Sequence, residues 1–454
     1  MKHMTRLLLV LVLAASALPA YSVLAQPDLN QDQTNCAAIF GTYGLTPDGS
    51  AFCLLVPPNW NKDLVIFAHG YVDSTPVLGV PRPVTIPFDQ LILPDKTTTI
   101  PGLITSLGYA FAITSYPKNG LAVTEGVTAV DELALLARST MPGLNRIYLV
   151  GASEGGLVTT LAVEQHPEIY SGGVATCGPI GDFSKQINYW GDFRVVFDYF
   201  FKNALPPTPV QIPPALFDQW RAYQSTPVGP FTLDLAVPGP AQLGVGGLVL
   251  AGEQAPYSSF QLINVAKAPI DLTDVPNSVV ATALGVLGYN VLATNNGVDE
   301  LGGQPYGNIG RIYNGSANDK ALNLGVARIK ADKVDLSPYQ TSGKLVRPLV
   351  TLHNIGDPIV PYWHEDLYRA KLGSLARVMY TGIPVFSYGH CNFTAGEALF
   401  AFWLMTFKAG FVKTSAQAAS ATLPDTTQQT EFMQLAAPYI TNQPYSIYMP
   451  FNHQ

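Results

Sequence analysis

The chain has 454 residues, room for one large domain or two ordinary ones, and 48% of them are hydrophobic, ample for a large buried core. Only 13% are charged, while 40 glycines, 37 prolines and an aromatic share of 11% point to a compact protein with long ordered loops and exclude a disordered chain. A net charge of −7 with no Lys/Arg cluster argues against nucleic acid as a partner.

In chain order, the first segment reads as a signal peptide over residues 1–25. Lys2 and Arg6 supply the positive start, Leu7 to Leu18 the apolar core, and Val23-Leu24-Ala25 a small-residue cleavage site. The alternative is an uncleaved anchor, but the apolar core is shorter than the ~20 residues that span a bilayer. Cleavage would start the mature chain at Gln26 and leave 23 basic against 32 acidic residues, a net charge of −9. The expected product is secreted or periplasmic, with no stable membrane anchor.

Ala51 to Val56 and Leu64 to Ala68 read as strands between Pro, Asn and Gly turns. A Pro-rich loop runs from Val72 to about Thr99, and Tyr109 to Tyr116 is a third strand. Val123, Val127, Val130, Ala134 and Ala137 then recur at helical spacing, until Met141-Pro142-Gly143 ends the helix. Arg146 to Val150 is an almost wholly apolar strand of the kind buried on both faces. A helix from Glu154 to about His166 and a strand from Gly172 to Thr176 follow.

Gly178 to about Leu345 interrupts this alternation with Pro, Gly and aromatic residues, including Pro206-Pro207, Pro213-Pro214 and Val237-Pro238-Gly239-Pro240. The apolar runs Ser278 to Ala293 and Leu399 to Val412 are too short to span a membrane easily. Asn290 and Lys408 interrupt them, so both read as buried elements. Alternation resumes with a strand from Arg347 to His353, a helix from Tyr362 to Leu372, a strand near Arg377 to Tyr380 and a final helix from Ala395 to Phe411. Strands alternating with helices predict an α/β fold with a mostly parallel sheet covered on both faces. The expected organisation is a core of residues 26–177 and 346–454, with 178–345 inserted as a cap or lid.

Four places carry chemistry. Gly151-Ala152-Ser153-Glu154-Gly155-Gly156 matches G-x-S-x-G between a buried strand and a helix, where glycines let a sharp turn expose the serine oxygen. Ala68-His69-Gly70-Tyr71 directly follows a strand, and the plain reading of His69-Gly70 is a turn. His353-Asn354-Ile355-Gly356-Asp357-Pro358 ends a strand in a tight loop that presents Asp357 as a carboxylate partner for a histidine; Asp182 is the rival, also following a strand. Tyr388-Gly389-His390-Cys391 places a histidine after the last strand, whereas His3, His166, His353, His364 and His453 lie at ends or element boundaries.

Taken together these segments resemble the α/β-hydrolase superfamily from about Cys36 to Val412, insertion excluded. The order Ser153, Asp357, His390 is the order of its nucleophile, acid and base. The resemblance implies an α/β-hydrolase fold and a serine hydrolase that forms an acyl-enzyme. Its oxyanion hole would be the N–H groups of Tyr71 and Glu154, with His69 a structural residue of the loop. The phrase Gly-Ala-Ser-Glu-Gly-Gly looks like secreted esterases grouped with prolyl-oligopeptidase-type hydrolases. Cys391 after His390 is similar to tannases and feruloyl esterases, but Ala152 stands where those carry a cysteine.

A carboxylic ester with an apolar or aromatic part, small or polymeric, is the expected substrate. The insertion offers Trp190, Tyr199, Phe200, Phe201, Phe217, Trp220 and Tyr223 to pack itself and to face it. A peptidase or amidase of prolyl-oligopeptidase type is the alternative, although the chain has no Glu-Glu pair to anchor a substrate amine. A non-catalytic binding protein on this fold is the third reading. No metal and no cofactor are expected, since H-E-x-x-H, G-x-x-x-x-G-K-[ST] and a dinucleotide fingerprint after the first strand are lacking.

Four cysteines in an exported chain favour two disulfides. Cys36 and Cys53 flank the turn-rich Tyr43 to Ser50 and are expected to pair across a hairpin. Cys177 would end the strand after the nucleophile helix, and Cys391 adjoins His390, so both should reach one sheet edge and bond there.

Overall fold

A computed structural model describes residues 29–76, 80–202 and 254–441. The predicted signal peptide lies outside them, as do the predicted proline pairs and Phe217, Trp220 and Tyr223 of the insertion.

The sheet has eight strands: β1 Thr42–Leu45, β2 Ala51–Leu55, β3 Asp63–Ala68, β4 Ala110–Thr114, β5 Arg146–Ala152, β6 Gly172–Thr176, β7 Leu349–Gly356 and β8 Tyr380–Tyr388. Their order is β1-β2-β4-β3-β5-β6-β7-β8. The hairpin β1–β2 and its junction with β4 are antiparallel; every other pairing is parallel. β3, β4 and β6 are buried along their whole length, and apart from Asp63, which faces Arg146, their small and apolar residues suit parallel strands covered on both faces.

One face carries α3 (Val123–Thr140) and α4 (Glu154–Gln165). The helix α3 buries the predicted stripe Val123, Val127, Val130, Ala134 and Ala137. The other face is covered by α2 (Ile100–Ser106) and by α11 (Ala395–Lys408), whose first turn is closed by a Thr394/Glu397 capping box. α1 (Leu29–Ala38) is bonded to β2 through Cys36–Cys53.

Between β6 and β7 the chain leaves the sheet. α5 (Phe183–Phe200), α6 (Gln254–Ala266), α7 (Val275–Leu301) and the short α8 (Asp319–Gly325) build a separate apolar cluster, including Phe193, Phe197, Leu262, Val286 and Leu287. α7 is long and apolar enough to cross a membrane by length and composition, yet Val279, Ala283 and Val286 are buried in this cluster. Its polar interruption, Asn290, is buried and accepts from the fully buried Arg194 of α5, which also pairs with Asp198. The cluster reaches the core through Ile359 and Val360, in the loop after β7.

The last third departs from the sequence pattern in two places. Arg377 lies on a helix, α10 (Ser374–Met379), after α9 (Trp363–Lys371), and the strand begins only at Tyr380. Gly382 and Pro384 break the apolar run of β8, but among the described residues β8 pairs only with β7, and an edge strand tolerates proline. The helix from Ala395 is not the last. α12 (Ala416–Ser420) and α13 (Thr426–Thr441) follow, with Phe432 buried against Phe400 and Trp403 of α11. Lys408 bends back to donate to the Tyr380 carbonyl, which accounts for the charge inside that apolar run.

Candidate active site

Ser153 sits between the end of β5 and the start of α4, with φ +57° and ψ −120°. That conformation is strained for a non-glycine residue and persists only where its surroundings dictate it. A Cβ on Gly155 would land in the Ala68 carbonyl, and one on Gly151 in the Gly155 carbonyl. The two glycines therefore let α4 press against β3 and β5, and the pressed turn pushes the serine oxygen out over the sheet edge.

His390 follows β8 and Asp357 follows β7, so parallel strands bring both to the edge where Ser153 stands. Ser153 Oγ donates to His390 Nε2 at 2.9 Å, and His390 Nδ1 donates to Asp357 Oδ2 at 2.7 Å. Asp357 is fully buried, and its Oδ1 accepts the N–H groups of Ile359 and Val360. Burial alone would raise its pKa. The hydrogen-bonded His390 ring and the His353 ring 3.6 Å away outweigh that and hold it down at about 2. Asp182 is elsewhere: its carboxylate caps α5, accepting from the N–H groups of Ser184 and Lys185.

Tyr71 and Glu154 both line the space around Ser153. Glu154 is the first residue of α4, so its N–H has no carbonyl one turn earlier to bind. The N–H of Gly70 is taken by Gln90 Oε1 at 2.7 Å, which anchors the loop carrying Tyr71. His69 stacks on Tyr116 at 3.7 Å and donates to the Gly70 carbonyl. Burial lowers its pKa to about 4, so it stays neutral and holds the loop. Burial pushes the Glu154 carboxyl up to about 8, against the lowering effect of the hydrogen bond it accepts from Ala122 N–H.

The site contains a second charged group that the sequence offers no way to see. His353 on β7 is fully buried, with Glu365 on one side and the Asp357 loop on the other. Its Nδ1 lies 3.1 Å from Glu365 Oε1, and its Nε2 lies 2.7 Å from the Val360 carbonyl and 3.6 Å from Asp357 Oδ2. Both ring nitrogens face only acceptors, so the ring carries both protons and a positive charge. Burial opposes that charge, but the nearby Asp357 carboxylate and the hydrogen bond to Glu365 push the pKa up to about 10. Thr351 and Tyr380 donate to the other Glu365 oxygen. His364 is the opposite case. Its Nδ1 accepts from Gly181 N–H and its Nε2 donates to Gln186, so it is a neutral pin between α9 and the start of the β6–β7 excursion.

Cys177 is bonded to Cys391, the residue after His390, with a Cα–Cα distance of 5.4 Å. Both cysteines have positive φ, so each bends the chain sharply where the bond is made. The bond ties the histidine loop to the end of β6.

Strand order, the strained serine after β5 and the edge-mounted acid and histidine together define an α/β-hydrolase fold. Among solved structures the chain is similar to an acylaminoacyl peptidase in complex with a chloromethyl ketone, at 12% identity and TM-score 0.37, over 84% of this chain and 44% of that one. It therefore spans less than half the length of that peptidase. It is also similar to feruloyl esterase B from Aspergillus oryzae, at 15% identity and TM-score 0.38, over 77% and 73%. A third similar structure is the Pyrococcus furiosus esterase Pf2001, at 13% identity and TM-score 0.38, over 86% and 97%. These likenesses are too slight to add to what strand order and site define. No family model matches the sequence, and no curated protein matches it.

Proposed function

We propose that the chain is an exported serine hydrolase of carboxylic esters, with Ser153 as nucleophile, His390 as general base and Asp357 as its carboxylate partner. The observation that carries this reading is the unbroken hydrogen-bonded line from Ser153 Oγ through His390 to Asp357, at 2.9 and 2.7 Å.

Asp357 fixes the tautomer: with Nδ1–H donated to the acid, Nε2 is the bare nitrogen that takes the Ser153 proton. Oγ then bonds to the carbonyl carbon, and the carbonyl oxygen gains the electron pair. The N–H groups of Tyr71 and Glu154 receive that oxyanion, each worth about 3 kcal/mol in the transition state. Collapse breaks the bond to the alcohol oxygen, which leaves with the proton held on Nε2. Water then attacks the acyl carbon, gives its proton to Nε2, and frees the acid as that proton returns to Oγ.

Esters are favoured over peptides by the walls around Ser153. Among the described residues on the side of α5 and α7 the one carboxyl is Glu154, which is buried and turned to the Ala122 N–H, so no exposed carboxylate pair stands there to anchor a substrate amine. Two disulfides support export, where thiols oxidise. The described residues of 178–345 support the cap: Phe183, Trp190 and Tyr289 stand around Ser153.

Initial rates on nitrophenyl esters and matched aminoacyl anilides, for the native chain and Ser153→Ala, test the reading. Ester cleavage that Ser153→Ala abolishes is expected. Retained activity in that variant, or faster anilide cleavage, would refute it.

A further inference from the structure

Two cavities meet at Ser153, and among the described residues only Tyr71, Ser153 and Tyr289 line both. The larger holds about 410 Å³ and runs inward between the sheet (Phe67, Val150, Val174) and the helices α2 and α11 (Leu103, Leu399, Phe402). An engineered cavity of about 150 Å³ takes one benzene, so this one has room for two or three rings or an alkyl chain of similar bulk. Protein cores are close-packed and keep few voids wider than a water molecule. A space of this size opening at a strained serine is a binding site, not a packing defect. Among the described residues its walls contain no Asp, Glu, Lys or Arg. A charged occupant would lose its hydration there with nothing in return, so the occupant is neutral and apolar. The smaller cavity holds about 50 Å³, between Glu154, Phe183, Trp190 and Val360. That is space for only a few heavy atoms.

The proton path assigns the two arms. His390 Nε2, 2.9 Å from Ser153 Oγ, must hand its proton to the departing alcohol oxygen, so that oxygen forms within hydrogen-bond reach of the ring. His390 lines the large cavity and not the small one. The group attached to the departing oxygen therefore starts at the mouth of the large cavity, and the acyl group, bonded to Oγ, turns into the small one. We infer that the substrate is a short-acyl ester of a bulky apolar alcohol, with the alcohol seated in the cavity between the sheet and α11. This rests on the serine-hydrolase reading above and adds to it the division of the substrate.

Octyl acetate and ethyl octanoate are isomers of equal composition, and they differ only in which arm is long. Their kcat/KM values, read by pH-stat on the full chain, should favour octyl acetate by about tenfold or more, since each misplaced methylene counts in a fitted apolar site. Equal rates or the reverse preference would overturn the inference. Ala398 sits in the cavity wall. Ala398→Trp should reduce that preference by about tenfold, and Ala398→Leu by less, in order of added volume. An undiminished preference in folded Ala398→Trp would contradict the seating, and Ala398→Leu keeps the test alive if the larger change unfolds the chain. Labelling by a fluorophosphonate separates the two claims. A chain neither labelled nor active takes down the hydrolase reading itself. A labelled, active chain without the isomer preference overturns this inference alone.

Discussion

Changing His353 to glutamine removes a cation from between two buried carboxylates. The imidazolium lies 3.1 Å from Glu365 and 3.6 Å from Asp357, and all three residues are at most 1% exposed. At an effective dielectric near 20, a contact of 3.6 Å is worth roughly 4–5 kcal/mol before desolvation. Removing one partner of such a buried pair costs about 3–5 kcal/mol, because the remaining charge is left unpaired. The raised pKa of the ring corresponds to the same scale. Moving a histidine from its usual 6.5 to about 10 corresponds to roughly 4–5 kcal/mol, at about 1.36 kcal/mol for each pH unit. The sign follows from the direction. A raised pKa stabilises fully below about 6.5, and the contribution is lost as pH rises towards 10. Urea unfolding with disulfides intact should therefore show His353→Gln weaker than the native chain by about 3–5 kcal/mol at pH 6, and the gap should narrow by pH 10. The double variant His353→Gln/Glu365→Gln should recover part of the loss, since it removes one of the stranded charges. A deficit below about 1 kcal/mol at pH 6, or one that grows with pH, would refute a buried imidazolium between these acids.

Asp357→Asn should lower kcat about 10⁴-fold by allowing the wrong histidine tautomer. Asp182→Ala should cost about 1 kcal/mol of stability as a lost helix cap and leave kcat within a few-fold; the reverse ranking in ester kinetics would move the acid role to Asp182. Replacing Cys177 and Cys391 by serine opens a loop closed across 214 residues, and should cost about 4–5 kcal/mol in chemical denaturation and lower kcat. Glu154, with its pKa raised to about 8 by burial, favours the folded state at low pH, and that contribution fades as pH climbs from about 4.5 to 8. Glu154→Gln should thus gain in Tm over the native chain at pH 9 relative to pH 5; an advantage that does not change with pH would contradict a neutral buried carboxyl.

The strained turn at Ser153 was legible because the sequence carries what such a turn requires: an apolar strand before Ser153, and glycines where β3 and β5 press on α4. The pairing of Cys177 with Cys391 was legible for a related reason, since both positions follow strands that end at one edge. The strand after α10 was misplaced because Gly382 and Pro384 dilute the pattern of an edge strand. The helices past Phe411 were missed because α13 is rich in Thr and Gln and shows its apolar face, with Phe432 and Ala436, only once α11 is there to receive it. His353 and Glu365 could not be joined in advance, because a strand and a helix each hold one partner and only the buried contact reveals the charge.

The most direct test of the account is the site of covalent labelling by a fluorophosphonate, read by peptide mass on the folded chain. The account predicts one modified residue, Ser153, and labelling that falls sharply in Asp357→Asn and vanishes in His390→Ala. A chain that stays unmodified while folded, or that is labelled elsewhere, would contradict it.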